Sequence, residues 1–80
     1  MNTLAVEVEP LAIDVIFTAD HLHVVLADGR EIFVPLVWFP RLYHATPEQR
    51  AQWRSIGGGM GLHWEDLDED IAIETLLRTR

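Results

Sequence analysis

The sequence contains no cysteine and no lysine. The first absence excludes a disulfide framework and any thiolate metal site. The second leaves six arginines as the only strong cations against thirteen carboxylates, for a net charge of −7. No apolar run approaches the roughly 20 residues of a membrane-spanning helix. The first cation is Arg30, so no charged leader precedes an apolar stretch. These absences predict a soluble, cytoplasmic protein that does not bind membranes. Arginines scattered along an acidic chain also repel nucleic-acid phosphates, which argues against direct nucleic-acid binding.

Eighty residues, 49% of them apolar and 24% charged, predict one small globular domain over 1–80. The acids are unevenly spread: residues 65–80 carry a net −4 and the preceding sixty-four only −3. A basic partner is therefore favoured over an anionic one.

Alternation of apolar and polar residues predicts strands over 13–36. Ile13, Val15 and Phe17 form one face of the first, Leu22, Val24 and Leu26 of the second, and Ile32, Val34 and Leu36 of the third. Thr18-Ala19-Asp20 and Ala27-Asp28-Gly29-Arg30 mark the turns between them, and Asp-Gly supplies the positive φ of a tight hairpin. Pro35 cannot donate to a ladder and belongs at a strand end or free edge. Leu4, Val6 and Val8 also alternate, so residues 1–11 read as an added strand or an extended arm before a core over 12–80.

After Trp38 the pattern changes. Pro40 to Tyr43 reads as a short helix, and Thr46-Pro47-Glu48-Gln49 as a capping box opening a helix over 47–55. Gly57 to Gly59 end that helix, Met60 to Trp64 reads as a fourth strand, and Ile71 to Arg78 as a final helix with Ile73, Leu76 and Leu77 inward. The predicted class is α+β, in the order β-β-β-α-β-α: a three-stranded antiparallel meander plus a fourth strand, with two to three short helices on one sheet face.

Four groupings bear on chemistry. His21 and His23 share a strand face and, with His44 or His63, would supply the nitrogen ligands of a metal; on a half-buried hairpin they equally occupy a solvent face. Glu65, Asp66, Asp68, Glu69 and Asp70 would serve acid/base or Mg²⁺ chemistry if desolvated; in a link before a helix, water screens them, and Asp70 then favours the helix N-terminus. The glycine run follows a helix instead of opening one, so it is no phosphate cradle. Ser55 lacks a nucleophile elbow. No cofactor, metal or catalytic site is expected. The fourth grouping is Trp38, Phe39, Arg41, Tyr43, Arg50, Trp53, Arg54 and Trp64. It reads first as packing of helices on the sheet, with Arg41 or Arg50 paired to Asp68 or Asp70. It reads second as an aromatic–arginine surface of the kind that anchors interfaces.

Three motifs in order then suggest a family. Val34-Pro35-Leu36-x-Trp38-Phe39-Pro40-Arg41-Leu42, Ala45-Thr46-Pro47-x-Gln49-Arg50, and Gly61-Leu62-His63-Trp64-x-x-Leu67-Asp68-Glu69-Asp70-Ile71 with Leu76-Leu77 resemble domain of unknown function 2442 over about residues 13–79. Ala72 and Thr75 depart from its pattern of a serine cap and a glycine. The resemblance implies a small bacterial α+β protein without an established enzymatic activity, in a proposed toxin–antitoxin pairing with a neighbouring gene's second small domain of unknown function. The leading expectation is thus a non-catalytic interaction or regulatory module, antitoxin-like, that binds a basic protein partner. Trp38, Phe39, Arg41, Arg50, Trp53, His63, Trp64, Asp68 and Asp70 are its candidate residues, and an open sheet edge would also permit homo-oligomers. The rival expectation is a small metal-dependent or acid/base enzyme built on His63, Asp66, Asp68 and Asp70.

Overall fold

Alternating apolar residues in the first third of the chain build a meander. The computed structural model describes residues 10–78 and gives β1 (Ala12–Phe17), β2 (His21–Leu26) and β3 (Glu31–Pro35), antiparallel in the order β1-β2-β3. Leu22, Val24 and Leu26 are all buried, as their period of two requires. At the second hairpin Asp28 accepts the Arg30 backbone N–H at 3.0 Å and its Nε–H at 2.9 Å. That side-chain bond holds the Asp28 carboxyl below the ordinary aspartate range.

The predicted inner face of β1 needs one correction. The β1–β2 register shifts between Ala12 and Asp14. Such a bulge turns one residue to the other face. Ala12 and Val15 are buried, with Phe17 packed against them, while Ile13 is 60% exposed. Leu36 is buried as expected, but it begins a 3₁₀ turn (Leu36–Trp38) instead of ending the strand. Its N–H donates to the Asp20 carbonyl at 2.8 Å.

α1 (Pro40–Tyr43) and α2 (Pro47–Ala51) follow. The capping box is formed in full: the Gln49 N–H donates to Thr46 Oγ1 at 3.1 Å and the Thr46 N–H donates to Gln49 Oε1 at 2.9 Å. The helix predicted over 47–55 is shorter than expected. Trp53–Ile56 is β4, paired with β5 (Gly61–Trp64), and β6 (Glu69–Ala72) completes a second antiparallel sheet ordered β4-β5-β6. The helix predicted over 71–78 correspondingly shrinks to α3 (Ile73–Arg78). Leu76 is buried and Ile73 wholly so, but Leu77 is 38% exposed and not inward. The class is α+β as predicted; the layout is two three-stranded sheets, not one meander with a fourth strand.

One buried cluster draws on both sheets, including Leu22, Leu26, Val34, Leu62, Trp64 and Ile73. Trp64 is wholly buried, donates its Nε1–H to the Arg50 carbonyl at 3.0 Å, and meets Phe17 edge-on at 6.3 Å between ring centroids. Sheet and glycine turn touch where a Cβ on Gly59 would lie 2.9 Å from the Ala12 carbonyl oxygen, at φ 107°. Only glycine fits there. The added strand or arm read over 1–11 falls largely on residues 1–9, outside the described residues.

Candidate interaction site

The outer face of the second sheet is laid out by its register. Arg54, His63 and Asp70 stand side by side on β4, β5 and β6, and Ile56, Gly61 and Ala72 form the next outward row. Period two places both rows on one face, two residues apart. One row is charged and the other apolar.

The charged row closes on His63, whose side chain is 17% exposed. Its Nδ1 pairs with Asp70 and its Nε2 lies 3.0 Å from Glu65 Oε1. Arg54 reaches the same Glu65 oxygen at 3.5 Å. A carboxylate stands at each nitrogen, so the protonated ring has an acceptor for both of its N–H groups. The hydrogen bond with Asp70, then that with Glu65, raises the His63 pKa above that of a free histidine, and burial opposes them. The bond to His63 lowers the Glu65 pKa, and Arg54 adds to the effect.

The apolar row borders a depression of about 540 Å³, lined by Pro10, Ile56, Gly57, Met60, Gly61, Ile71 and Ala72 together with Asp70 and Glu74. Gly61 is buried in it, and a Cβ there would sit 3.0 Å from Ile56 Cγ1 and 3.3 Å from the Ile71 carbonyl oxygen. A side chain on Gly61 would therefore crowd this row. Met60 is 60% exposed at the border. Asp70 belongs to both features: it pairs with His63 and it lines the groove.

The structure distributes the predicted residues otherwise than one aromatic–arginine surface. Trp64 is core, and Trp53 and Phe39 pack partly buried against the core. Trp38 is 45% exposed and lies outside the groove lining. Arg41 donates to the Asp68 carbonyl and approaches its carboxylate at 4.0 Å, so the pairing expected for Arg41 forms with Asp68. Among the described residues Arg50 pairs with no carboxylate. It donates to the carbonyls of Leu42 at 2.8 Å and Tyr43 at 2.9 Å, capping α1, and lies over the Phe17 ring. Free carbonyls at the end of a helix need such donors.

Of the three aspartates grouped with His63 in the rival reading, Asp70 alone reaches it. Asp66 and Asp68 lie in the exposed 65–68 turn, Asp68 at φ 52°, and Glu65 takes the second nitrogen. Asp70 is in β6, not at a helix N-terminus. His23 lies 2.7 Å from Glu31 and stacks on Phe33 at 4.0 Å on the outer face of the first sheet. Among the described residues no three His, Asp or Glu side chains converge as a metal site.

The residues that sequence reasoning missed are Ile56, Gly61, Ala72 and Glu74, while Arg54 and Glu65 were weighed in other groupings. Trp53-Arg54-Ser55-Ile56 and Glu69-Asp70-Ile71-Ala72 show no alternation of apolar and polar residues, so nothing local marked either segment as a strand.

Among curated proteins none matches this chain. Two solved structures resemble it. A crystal structure of a protein of unknown function from Rhodospirillum rubrum is 30% identical, with a TM-score of 0.73 over 86% of each chain. The solution structure of an uncharacterized protein from Chromobacterium violaceum is 28% identical, with a TM-score of 0.70, covering 84% of this chain and 63% of that one. The family model described as protein of unknown function (DUF2442) matches residues 12–80, and the chain belongs to that family.

Proposed function

We propose that this chain is a non-catalytic interaction module that docks a basic protein partner on the outer face of its second sheet. The observation that carries this reading is the apolar depression whose ionisable lining consists of two carboxylates, Asp70 and Glu74. An apolar surface edged by one sign of charge selects a partner with apolar anchors and cations, and a chain of net −7 steers such a partner in. His63 supports the non-catalytic reading. Both its nitrogens are occupied by carboxylates, so neither is turned toward a substrate atom. The finer reading is regulatory and antitoxin-like, with a basic protein encoded beside this one as the partner.

The test is co-expression of the untagged chain with the neighbouring gene product, followed by purification and a toxicity assay. A stable complex that is weakened by Asp70→Asn with Glu74→Gln, and by Ala72→Lys, supports the proposal. A complex indifferent to all three substitutions would remove the groove, and no complex with unchanged partner toxicity would remove the antitoxin reading.

A further inference from the structure

Resting on that reading, we infer that the occupant of the groove is an extended segment of the basic partner that adds as a strand to the free edge of β6, placing an apolar side chain beside Ala72 and an arginine or lysine beside Asp70. Three features of the sheet lead there. β6 is the terminal strand of β4-β5-β6, so one row of its backbone groups faces away from β5, and among the described residues no strand pairs with it there. An unpaired row of N–H and C=O groups is a template for another strand. The groove also reaches this edge, since Asp70, Ile71 and Ala72 all line it.

The register then dictates a pattern. Residues directly opposite in an antiparallel pair share a face. On an antiparallel added strand, the residue opposite Ala72 comes two before the residue opposite Asp70, and both project on the groove side. The recognised sequence is therefore apolar-x-cationic from N- to C-terminus. Asp70 is already held by His63, and Glu74, the other carboxylate of the lining, by Arg78 at 2.9 Å, so the incoming cation shares each carboxylate with a resident cation.

Charge on the page selects against the other occupants. A second copy paired antiparallel through the same edge would set Glu69 opposite Ala72 and Asp70 opposite Ile71, offering no cation to either carboxylate while bringing together two chains of net −7. Residues 1–9 of the chain itself alternate Leu4, Val6 and Val8, but they carry Glu7 and Glu9 and no cation. The other three sheet ends suit a basic strand less: β1 is bulged, β3 closes on Pro35, which has no N–H, and β4 carries Arg54, a cation, on the outer face.

The experiment uses the full chain and two short synthetic peptides of identical composition. In one, valine and arginine alternate on one face of a strand; in the other, arginine is moved by one position to the opposite face. Binding is followed by amide chemical shifts and hydrogen exchange. The first peptide is expected to shift Gly61 and Ala72 and to protect the outward-facing amides of Glu69–Ala72, and to lose about three- to tenfold in affinity with Asp70→Asn. The second is expected to bind more weakly. If both peptides perturb the groove equally and leave those amides unprotected, a basic partner docks there but not as a strand. If neither binds, and the neighbouring gene product also fails to dock, the groove reading falls with the strand reading. Protection of those amides without peptide would overturn the inference too, naming a second copy if it rises with protein concentration and the chain's own N-terminal segment if it does not.

Discussion

Gly61 shows how much one residue decides. Its neighbours Ile56 and Ile71 would crowd a Cβ, at 3.0 Å from Ile56 Cγ1 and 3.3 Å from the Ile71 carbonyl oxygen, so the outer apolar row stays low at the middle strand and a groove forms where a side chain would otherwise stand. Gly61→Val is expected to destabilise the fold by about 1–3 kcal/mol, the usual cost of overpacking, measured by urea denaturation. An unchanged midpoint would mean that Ile56 swings aside freely. His63 supplies the pH dependence. Its folded pKa is raised by Asp70 and Glu65, so its contribution to stability is fully present below about pH 6.5, the value for an unfolded histidine. That contribution is lost as pH rises through the folded value. Glu65, with a lowered pKa, acts in the opposite sense: its share is present above the unfolded glutamate value and is lost as pH falls through the folded one. The melting temperature of the wild type minus that of His63→Gln should therefore shrink between pH 6 and neutral-to-alkaline conditions (about pH 6 to 9). A difference that stays constant over this range contradicts the geometry of the row. Single residues were also where the sequence was least legible. Asp70 and Arg50 both looked like ion-pair partners across elements. Asp70 instead meets a cross-strand histidine, and Arg50 satisfies the open carbonyls of α1, because strand register and helix ends decide which groups are within reach.

At the scale of elements, legibility followed how local the determining interaction is. The Asp28-Gly29 hairpin, the capping box at Thr46 and the buried row of β2 are set by neighbours in sequence, and all three could be read directly. β4 and β6 could not. Each has four residues, too few to establish a period, and each lies beside a strong helix signal: the capping box before β4 and the apolar spacing of α3 after β6. What makes them strands is their pairing with β5, and pairing is non-local. The same argument bears on α2. With five residues, it is too short to persist by propensity and leans on its cap. Thr46→Ala should remove the half of the box accepted by Thr46 Oγ1, leave the backbone N–H bond to Gln49 Oε1, and cost about 1 kcal/mol of global stability, read as a lowered denaturation midpoint at unchanged m-value. A loss near zero would show that packing of Trp53 and Arg50 around the helix suffices to hold it.

For the whole molecule, the two sheets divide the work. The inner faces share one core, anchored by Trp64 with Phe17, Phe39 and Trp53 packed against it; the outer face of the second sheet carries a charged row and an apolar row, the surface on which the proposed partner would dock. The α+β class was legible because a meander followed by capped helices leaves few other arrangements, whereas the division into two sheets depended on the strands that local signals concealed. The uneven charge has a consequence at this scale that contacts alone do not capture. A chain without lysine and with net −7 projects a negative field, concentrated toward residues 65–78, that attracts a cationic partner before any side chain touches. Screening shortens the reach of that field from about 10 Å at 0.1 M salt to about 3 Å at 1 M. The association rate with a basic partner should therefore fall steeply as salt rises, while the dissociation rate changes little. In stopped-flow mixing, the Asp70→Asn, Glu74→Gln double variant should associate more slowly at low salt and converge on the wild type at high salt. Equal rates at low salt would show that attraction is not focused at the groove, and the partner's cations would then have to meet the acidic turn at Glu65–Asp68 instead.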